Sequence, residues 1–164
     1  MARLNTCSNG RLLTDRQLPN SNANIDHVVI APSGLWIVDT KKWAGKIEYK
    51  GKRFDDPDMR LLVGGQDRTS KVEAIYNQVI PVAQLIDDLD PGRSIDIRPA
   101  LVFVGGNWST KLTLLDLLNR PVIHDGVLIA APKMLTKKIN EPGPLQAELI
   151  QLLGERLDEQ LKPR

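Results

Sequence analysis

Three side chains near the start of the sequence have the types and spacing for phosphate chemistry: Asp26, Asp39 and Lys41, within the stretch IDHVVIAPSGLWIVDTK. A phosphodiester resists hydrolysis because its own negative charge repels an incoming hydroxide. A hard cation held by carboxylate oxygens polarises a phosphoryl oxygen and lowers the pKa of a bound water. Mg²⁺ is typically held by one or two carboxylates, with waters and substrate phosphates completing its shell. Asp26 and Asp39 offer the carboxylates, and the backbone carbonyl of Thr40 offers a third oxygen. Lys41 could orient the attacking water, stabilise charge growing on the phosphate, or, with a lowered pKa, help remove a proton.

These groups meet only if the stretch folds as a β-hairpin, and its pattern says that it does. One apolar run (Ile25, Val28, Val29, Ile30) reaches the turn cluster Ala31-Pro32-Ser33-Gly34. A second (Leu35, Trp36, Ile37, Val38) leaves it. Pairing Ile30 with Leu35 sets Asp26 opposite Asp39. Opposed residues of an antiparallel pair share a face, with β-carbons roughly 5 Å apart. Lys41 lies two residues beyond Asp39 and joins that face. Both carboxylates interrupt otherwise apolar strands.

At 164 residues the chain is the size of one domain with a substantial core. Its net charge of +2 does not by itself mark a nucleic-acid binder. The charge is uneven, however: from Lys41 to Lys71 there are nine Lys or Arg against five Asp or Glu. A solvated surface is the simpler explanation of that surplus. The single cysteine, Cys7, excludes an intramolecular disulfide and a multi-cysteine zinc site, and it suits a reducing compartment. No run approaches the ~20 apolar residues of a membrane span. The beginning, MARLNTCSNGR, has no apolar signal region. The expectation is a cytoplasmic protein with no membrane partner.

Taken in order, residues 1–10 read as a flexible lead-in and 11–161 as the domain. Arg11 to Leu18 reads as a first strand, stopped by Pro19. After the hairpin, KWAG turns and KIEYKG forms a third strand. Residues 52–65 read as an irregular surface excursion. Asp67 to Asp88 has the clearest helical periodicity, capped by Asp67 and kinked or interrupted at Pro81. RPALVFVGG and GVLIAAP read as strands buried on both faces. KLTLLDLLNR and PKMLTKKI read as short helices. A closing amphipathic helix runs from Pro144 to Leu161, with Leu145, Leu149, Leu152, Leu153 and Leu157 on its buried side. The order predicts an α/β single domain. Its central mixed β-sheet combines an antiparallel meander with helix-connected strands, flanked by helices.

Other residues carry weaker signals. His27 alternates with Asp26 and so faces the other side of the sheet, as a packing or hydrogen-bonding group. His124 has no evident partner, so a histidine-metal nuclease site is not expected. Trp36 reads as core; Trp43 is a slightly better candidate for stacking, with burial still the stronger reading. Lys42, Lys46, Lys50 and Lys52 could contact phosphates along a nucleic-acid backbone. Gly64-Gly65 and Gly105-Gly106 lack the spacing of a phosphate-binding loop.

The stretch NIDHVVIAPSGLWIVDTKKWAGKIE resembles the core of the nuclease-related domain, the NERD family, placed in the PD-(D/E)xK nuclease superfamily. The resemblance continues through LLVGGQDRTSKVEAIYNQV and, less specifically, ALVFVGGNW and GVLIAAPKML. It implies a restriction-endonuclease-like fold and Mg²⁺- or Mn²⁺-dependent cleavage of nucleic acid, with DNA favoured. It maps the superfamily's metal-binding acids onto Asp26 and Asp39, its lysine onto Lys41, and a frequent family glutamine onto Gln78. The family usually has a glutamate-bearing helix before the first strand. Here about ten polar residues precede that strand, none of them glutamate. The start is expected to be truncated or misassigned; otherwise the third acid comes from elsewhere, with Glu48 and Glu73 as candidates, or the domain is catalytically weak. The function expected is metal-dependent phosphodiester hydrolysis. The alternative is a catalytically weak or inactive nucleic-acid-binding module that retains the fold.

Overall fold

The computed structural model describes residues 9–50, 60–108, 115–116 and 126–164, with the side chains of Tyr49, Leu115 and Asp116 excepted. Its strands are β1 (Arg11–Gln17), β2 (Asn24–Ala31), β3 (Gly34–Lys41), β4 (Lys46–Lys50), β5 (Arg60–Val63), β6 (Gln66–Asp67), β7 (Ile97–Phe103), β8 (Asn107–Trp108), β9 (Leu115–Asp116) and β10 (Leu128–Ala130). Its helices are α1 (Thr69–Ala74), α2 (Tyr76–Leu89), α3 (Pro132–Ile139) and α4 (Ala147–Gln160).

The main sheet is mixed, in the order β1-β2-β3-β7-β10-β9. Strands β1, β2 and β3 form the antiparallel meander, and β7 joins β3 in parallel. Strand β10 lies parallel to β7, and β9 closes the sheet antiparallel to β10. One face packs under α2 and α4, the other under α3. Two apolar clusters result. Val28, Ile30, Leu35, Ile37, Leu101 and Phe103 belong to the first. Val29, Trp36, Val38, Ala100, Val102 and Leu135 belong to the second. The alternation follows from the period-two direction of strand side chains. It makes β3 and β7 apolar on both sides, as parallel central strands must be. The architecture is a single α/β domain of the restriction-endonuclease-like kind.

The hairpin turn is held from outside. The Ser33 hydroxyl donates to the Ile139 carbonyl at 2.8 Å and accepts from Trp36 Nε1 at 3.0 Å, all buried. Leu145 N–H donates to the Pro32 carbonyl at 3.1 Å. These bonds satisfy polar groups that would otherwise be buried unpaired.

The sequence-based expectations need five adjustments. First, KIEYKG does not extend the meander. The open edge of β3 is taken by β7, so the chain bends away at Lys42–Gly45, and β4 enters a second sheet ordered β6-β5-β4-β8. Beside it, β7 bends through Gly105 and Gly106 into β8, which pairs in parallel with β4. Second, Arg60–Val63 within the supposed excursion is strand β5, paired with β4 and burying Leu61 and Val63. Third, the helix breaks at Ile75 rather than Pro81. Helix α1 packs on β5 and α2 on β7, and Ile75 between them keeps helical dihedrals, φ −66° and ψ −26°. Pro81 stays inside α2. It removes a donor from the Asn77 carbonyl, but Asn77 is exposed and water can replace the bond. Fourth, Leu115–Asp116 pairs as β9 instead of lying in a helix; the rest of KLTLLDLLNR that falls on 111–114 and 117–120 lies outside the described residues. Fifth, α4 buries Ile150, Leu153, Gly154 and Leu157, whereas Leu152 is 48% exposed. Ile150, Leu153 and Leu157 form the narrow i, i+3, i+7 stripe that leaves Leu152 on the outer side.

Gly143 shows how closely the segment before α4 sits on the hairpin turn. A β-carbon there would lie 2.2 Å from the Pro32 carbonyl oxygen and 2.6 Å from the Ser33 α-carbon. Both are backbone atoms, so neither can swing aside. Gly143→Ala is expected to destabilise the fold by about 1–3 kcal/mol, measured by urea unfolding. An unchanged midpoint would show that this contact is not required.

Candidate active site at the end of the hairpin

The β2/β3 register has Ile30 opposite Leu35 and His27 opposite Val38. One pair further along the same register, Asp26 faces Asp39 at the open end. The turn residues Pro32 and Ser33 make a two-residue connection, with Gly34 at φ +142°. This connection fixes the register, and the register fixes which side chains face the helices.

Asp26 Oδ2 accepts the Thr40 N–H at 2.9 Å. Peptide groups alternate in direction along a strand. Lys41 turns its carbonyl to β7, where the Val104 N–H meets it at 2.9 Å. Thr40 therefore turns its own N–H and carbonyl toward the β2 side, beside Asp26. Lys41 Nζ lies 2.7 Å from Asp39 Oδ1. The structure thus brings Asp26, Asp39, Thr40 and Lys41 into one small cluster at the carboxyl end of β3.

Asp39 is one of the few buried polar residues of the described chain, 7% exposed, with Ser33 the other. Burial pushes its carboxyl above the ordinary value. Hydrogen bonding to Lys41 and that residue's charge oppose the rise, while nearby Asp26 adds to it by repulsion and hydrogen bonding. Lys41 neutralises only part of this cost, because it is itself partly exposed. A carboxylate pair with one buried member fits a hard divalent cation. Such an ion would replace the lost hydration of Asp39 and screen it from Asp26. The donor set would be the two carboxylates and the Thr40 carbonyl. Among the described residues, no group of three or more His, Cys, Asp or Glu side chains is close enough to hold a metal.

Gln78 lies on α2, over the sheet face that carries the acids. Its Oε1 is buried without a hydrogen-bond partner among the described residues. No hydrogen bond joins it to Asp26, Asp39 or Lys41 among those residues. Lys42 and Lys50 are exposed. Lys46 is exposed but paired with Glu48 at 2.8 Å. Lys52, Cys7 and His124 lie outside the described residues. Glu48 is held by that lysine, and Glu73 is exposed on α1, so neither joins the cluster. His27 faces away from the cluster, and burial lowers its pKa.

Two features near the site had no separate signal in the sequence. Arg68 lies over the Trp43 ring, 4.5 Å from its centroid, so Trp43 is covered by a cation rather than open for stacking. The β1/β2 register, with Thr14 opposite His27 and Arg16 opposite Ile25, places Asp15 across from Asp26. Asp15 has φ +49°, and its Oδ1 accepts from Asn24 Nδ2 at 3.0 Å. A third acid therefore lies on β1 between those two register pairs, without joining the cluster. Only a confirmed strand register could have revealed it.

A mixed sheet whose central hairpin ends in two carboxylates and a lysine defines the class: an α/β protein of the restriction-endonuclease-like fold, built around an acidic centre. The sequence matches the nuclease-related domain (NERD) family over residues 1–104, and the chain belongs to that family, within the PD-(D/E)xK superfamily. The matched stretch contains β1 to β7 and every residue of the cluster. No curated protein and no solved structure gave a significant match.

The raised Asp39 value has a consequence for stability. The native chain holds this proton more tightly than the unfolded chain does. Stability is therefore lost as pH rises from the ordinary value of 3.8 through the raised native one. At neutral pH the ionised group is a net cost to the metal-free fold. Asp39→Asn is expected to flatten that part of the pH profile. It should also raise the thermal midpoint at neutral pH by about 2–4 °C, equivalent to roughly 1 kcal/mol at this chain size. Thermal unfolding of both proteins across pH, in chelator, checks this; a lowered midpoint with an unchanged pH slope would refute it.

Proposed function

We propose that this chain is a divalent-metal-dependent phosphodiesterase acting on nucleic acid, with DNA as the favoured substrate and Mg²⁺ or Mn²⁺ as the favoured ion. The observation that carries the reading is the convergence of Asp26, Asp39 and Lys41, with Lys41 Nζ 2.7 Å from a carboxylate that is almost wholly buried. Membership of the nuclease-related domain family supports it. In this reading Asp26 and Asp39 hold the ion, with the Thr40 carbonyl beside them. When bound, the ion supplies polarisation of the phosphoryl oxygen and acidification of a water.

The chain's own groups do the rest. The Thr40 amide fixes the Asp26 carboxylate through its hydrogen bond. Burial makes Asp39 a poor free anion and hence a good partner for a cation. Lys41 offers its ammonium protons to a phosphate oxygen or to the attacking water, within reach of the same carboxylates. Gln78, with its unpartnered buried oxygen, is a candidate to accept a hydrogen bond from that water. The exposed Lys42, Lys46 and Lys50, together with Lys52, would contact the backbone on either side.

A second reading has one observation in its favour. Among the described residues, no third acid or histidine joins the cluster. This supports a catalytically weak or inactive nucleic-acid-binding module. A cytoplasmic location remains part of the proposal; among the described residues no helix is long and apolar enough to cross a membrane.

Purified chain incubated with linear, circular and single-stranded DNA should cleave in Mg²⁺ and not in chelator. Asp39→Ala and Lys41→Ala should each reduce the rate by at least about a hundredfold, the scale of a lost electrostatic group at a phosphoryl or acyl centre. Cleavage undiminished in both variants would remove the support for this site. Salt-sensitive binding without cleavage would favour the second reading.

A further inference from the structure

A groove of about 570 Å³ opens beside α3, walled by Trp108, Ala131 and Met134 and flanked by Lys133 and Lys137. The volume falls within the roughly 300–1,000 Å³ typical of small-molecule sites. We propose that this groove is a subsite for an unpaired nucleobase, so that the strand bound at the acidic hairpin is single-stranded where it passes α3. The proposal deepens the nuclease reading above and rests on it for the position of the phosphate backbone.

Four observations carry it. The first is place. Strands β3, β7 and β10 run parallel, with Thr40 opposite Val102 and Val102 opposite Ala130. Ala131 at the groove therefore lies two strands from the acidic cluster, at the same carboxyl edge. Two interstrand spacings along that edge amount to roughly 10 Å; the groove opens on the α3 face, opposite the face that carries the acids, so the strand passes over the carboxyl edge of the sheet to reach it. Ligands of open α/β sheets bind along this edge.

The second observation is continuity. Phe103 pairs with Lys41 in the β3/β7 ladder, and its ring lies 6.0 Å from that of Trp108, edge-on. Trp108 is thus fixed from behind by a residue that adjoins the proposed catalytic lysine. The third is chemistry. Trp108 packs with the first core cluster and Met134 with the second, so the groove forms where both reach the sheet edge. An indole and a thioether make a flat, polarisable slot suited to a ring.

The fourth observation is charge. Lys133 and Lys137 stand one turn apart on α3, and neither has an ion-pair partner among the described residues. Lys138, by contrast, pairs with Glu141 at 3.0 Å. Two unpaired cations beside an apolar slot complement a base with a phosphate on each side. A base within a duplex presents only its edges; its face becomes available when it is unpaired. The groove lies beyond residue 104, outside the stretch that matches the family.

The test measures binding of a fluorescein-labelled 15-mer to the full chain in chelator, by anisotropy. The strand should bind about tenfold more tightly than the same sequence annealed to its complement. It should also bind about tenfold more tightly than an abasic strand of the same length, the scale of one aromatic stack. Trp108→Ala should remove the preference for bases over the abasic strand, and Trp108→Phe should retain part of it. Lys133→Gln with Lys137→Gln should lower the slope of log affinity against log salt by about 1.4. The comparison of base-bearing with abasic strands uses the wild-type chain alone, so it holds even if Trp108→Ala does not fold. Equal affinity for abasic, duplex and single strands would overturn the proposal. So would Trp108-dependent binding of an acidic amphipathic peptide by a chain whose oligonucleotide binding ignores Trp108. Trp108-dependent binding of bases without any Mg²⁺-dependent cleavage would support the groove while refuting the nuclease reading. Cleavage of duplex with no contribution from Trp108 would do the reverse.

Discussion

The register of one strand pair governs this molecule. With Ile30 opposite Leu35, every second residue of β2 and β3 faces α2 and α4, and Asp26 falls beside Asp39. A shift by one residue would turn either Val28 and Ile30 or Leu35 and Ile37 to the other face and separate the two acids. The connection at Pro32 and Ser33 that sets the apolar pairing therefore also sets the acidic cluster. The protein bears a desolvated carboxylate because the two-residue turn fixes this register in strands that are buried on both faces.

Asp39 also sits where two kinds of pairing meet. On one side β3 is held antiparallel by β2, and on the other parallel by β7, with Leu101 opposite Asp39. The meander supplies the second acid, and burial between the two kinds of pairing raises the Asp39 pKa. Lys41 then lies at the point where the β3/β7 pair leaves the main sheet and continues as the β4/β8 pair. Trp43 and Phe103 pack 5.4 Å apart at that bend, and Arg68 covers Trp43. Lys41, paired with Phe103 in the ladder, lies just before this bend, and its ammonium reaches Asp39.

Much of this was legible in the sequence because it depends on short-range periodicity. The turn at Pro32-Ser33, the apolar alternation around it and the facing acids follow from local spacing. So do β7, β10 and α3. What could not be read depends on partners distant in the chain. Nothing in KIEYKG says that β7 has taken the edge it would have used. The interruption at Ile75 falls between a helix that packs on one sheet and a helix that packs on the other, whereas Pro81, the evident local breaker, stays within a helix. Leu152 is apolar yet exposed, because the buried stripe of α4 is set by its contacts with β1, β2 and α2. Asp15 has no local signal for the same reason: its place between the Thr14–His27 and Arg16–Ile25 pairs exists only once β1 is paired.

The bonds at the hairpin turn have a consequence for the order of assembly. Ser33 closes on Ile139 and Pro32 on Leu145, contacts that span more than a hundred residues. The β2/β3 hairpin is local and can form early, on the microsecond scale of isolated hairpins. The β7 flank and the turn closure must wait for chain made much later, and such distant pairings slow folding. During synthesis the acid pair would thus exist first in a hydrated hairpin, as an ordinary surface feature. It would acquire its perturbed character only when β7 docks beside it, which makes the distant β3/β7 pairing the step that converts a hairpin into a site.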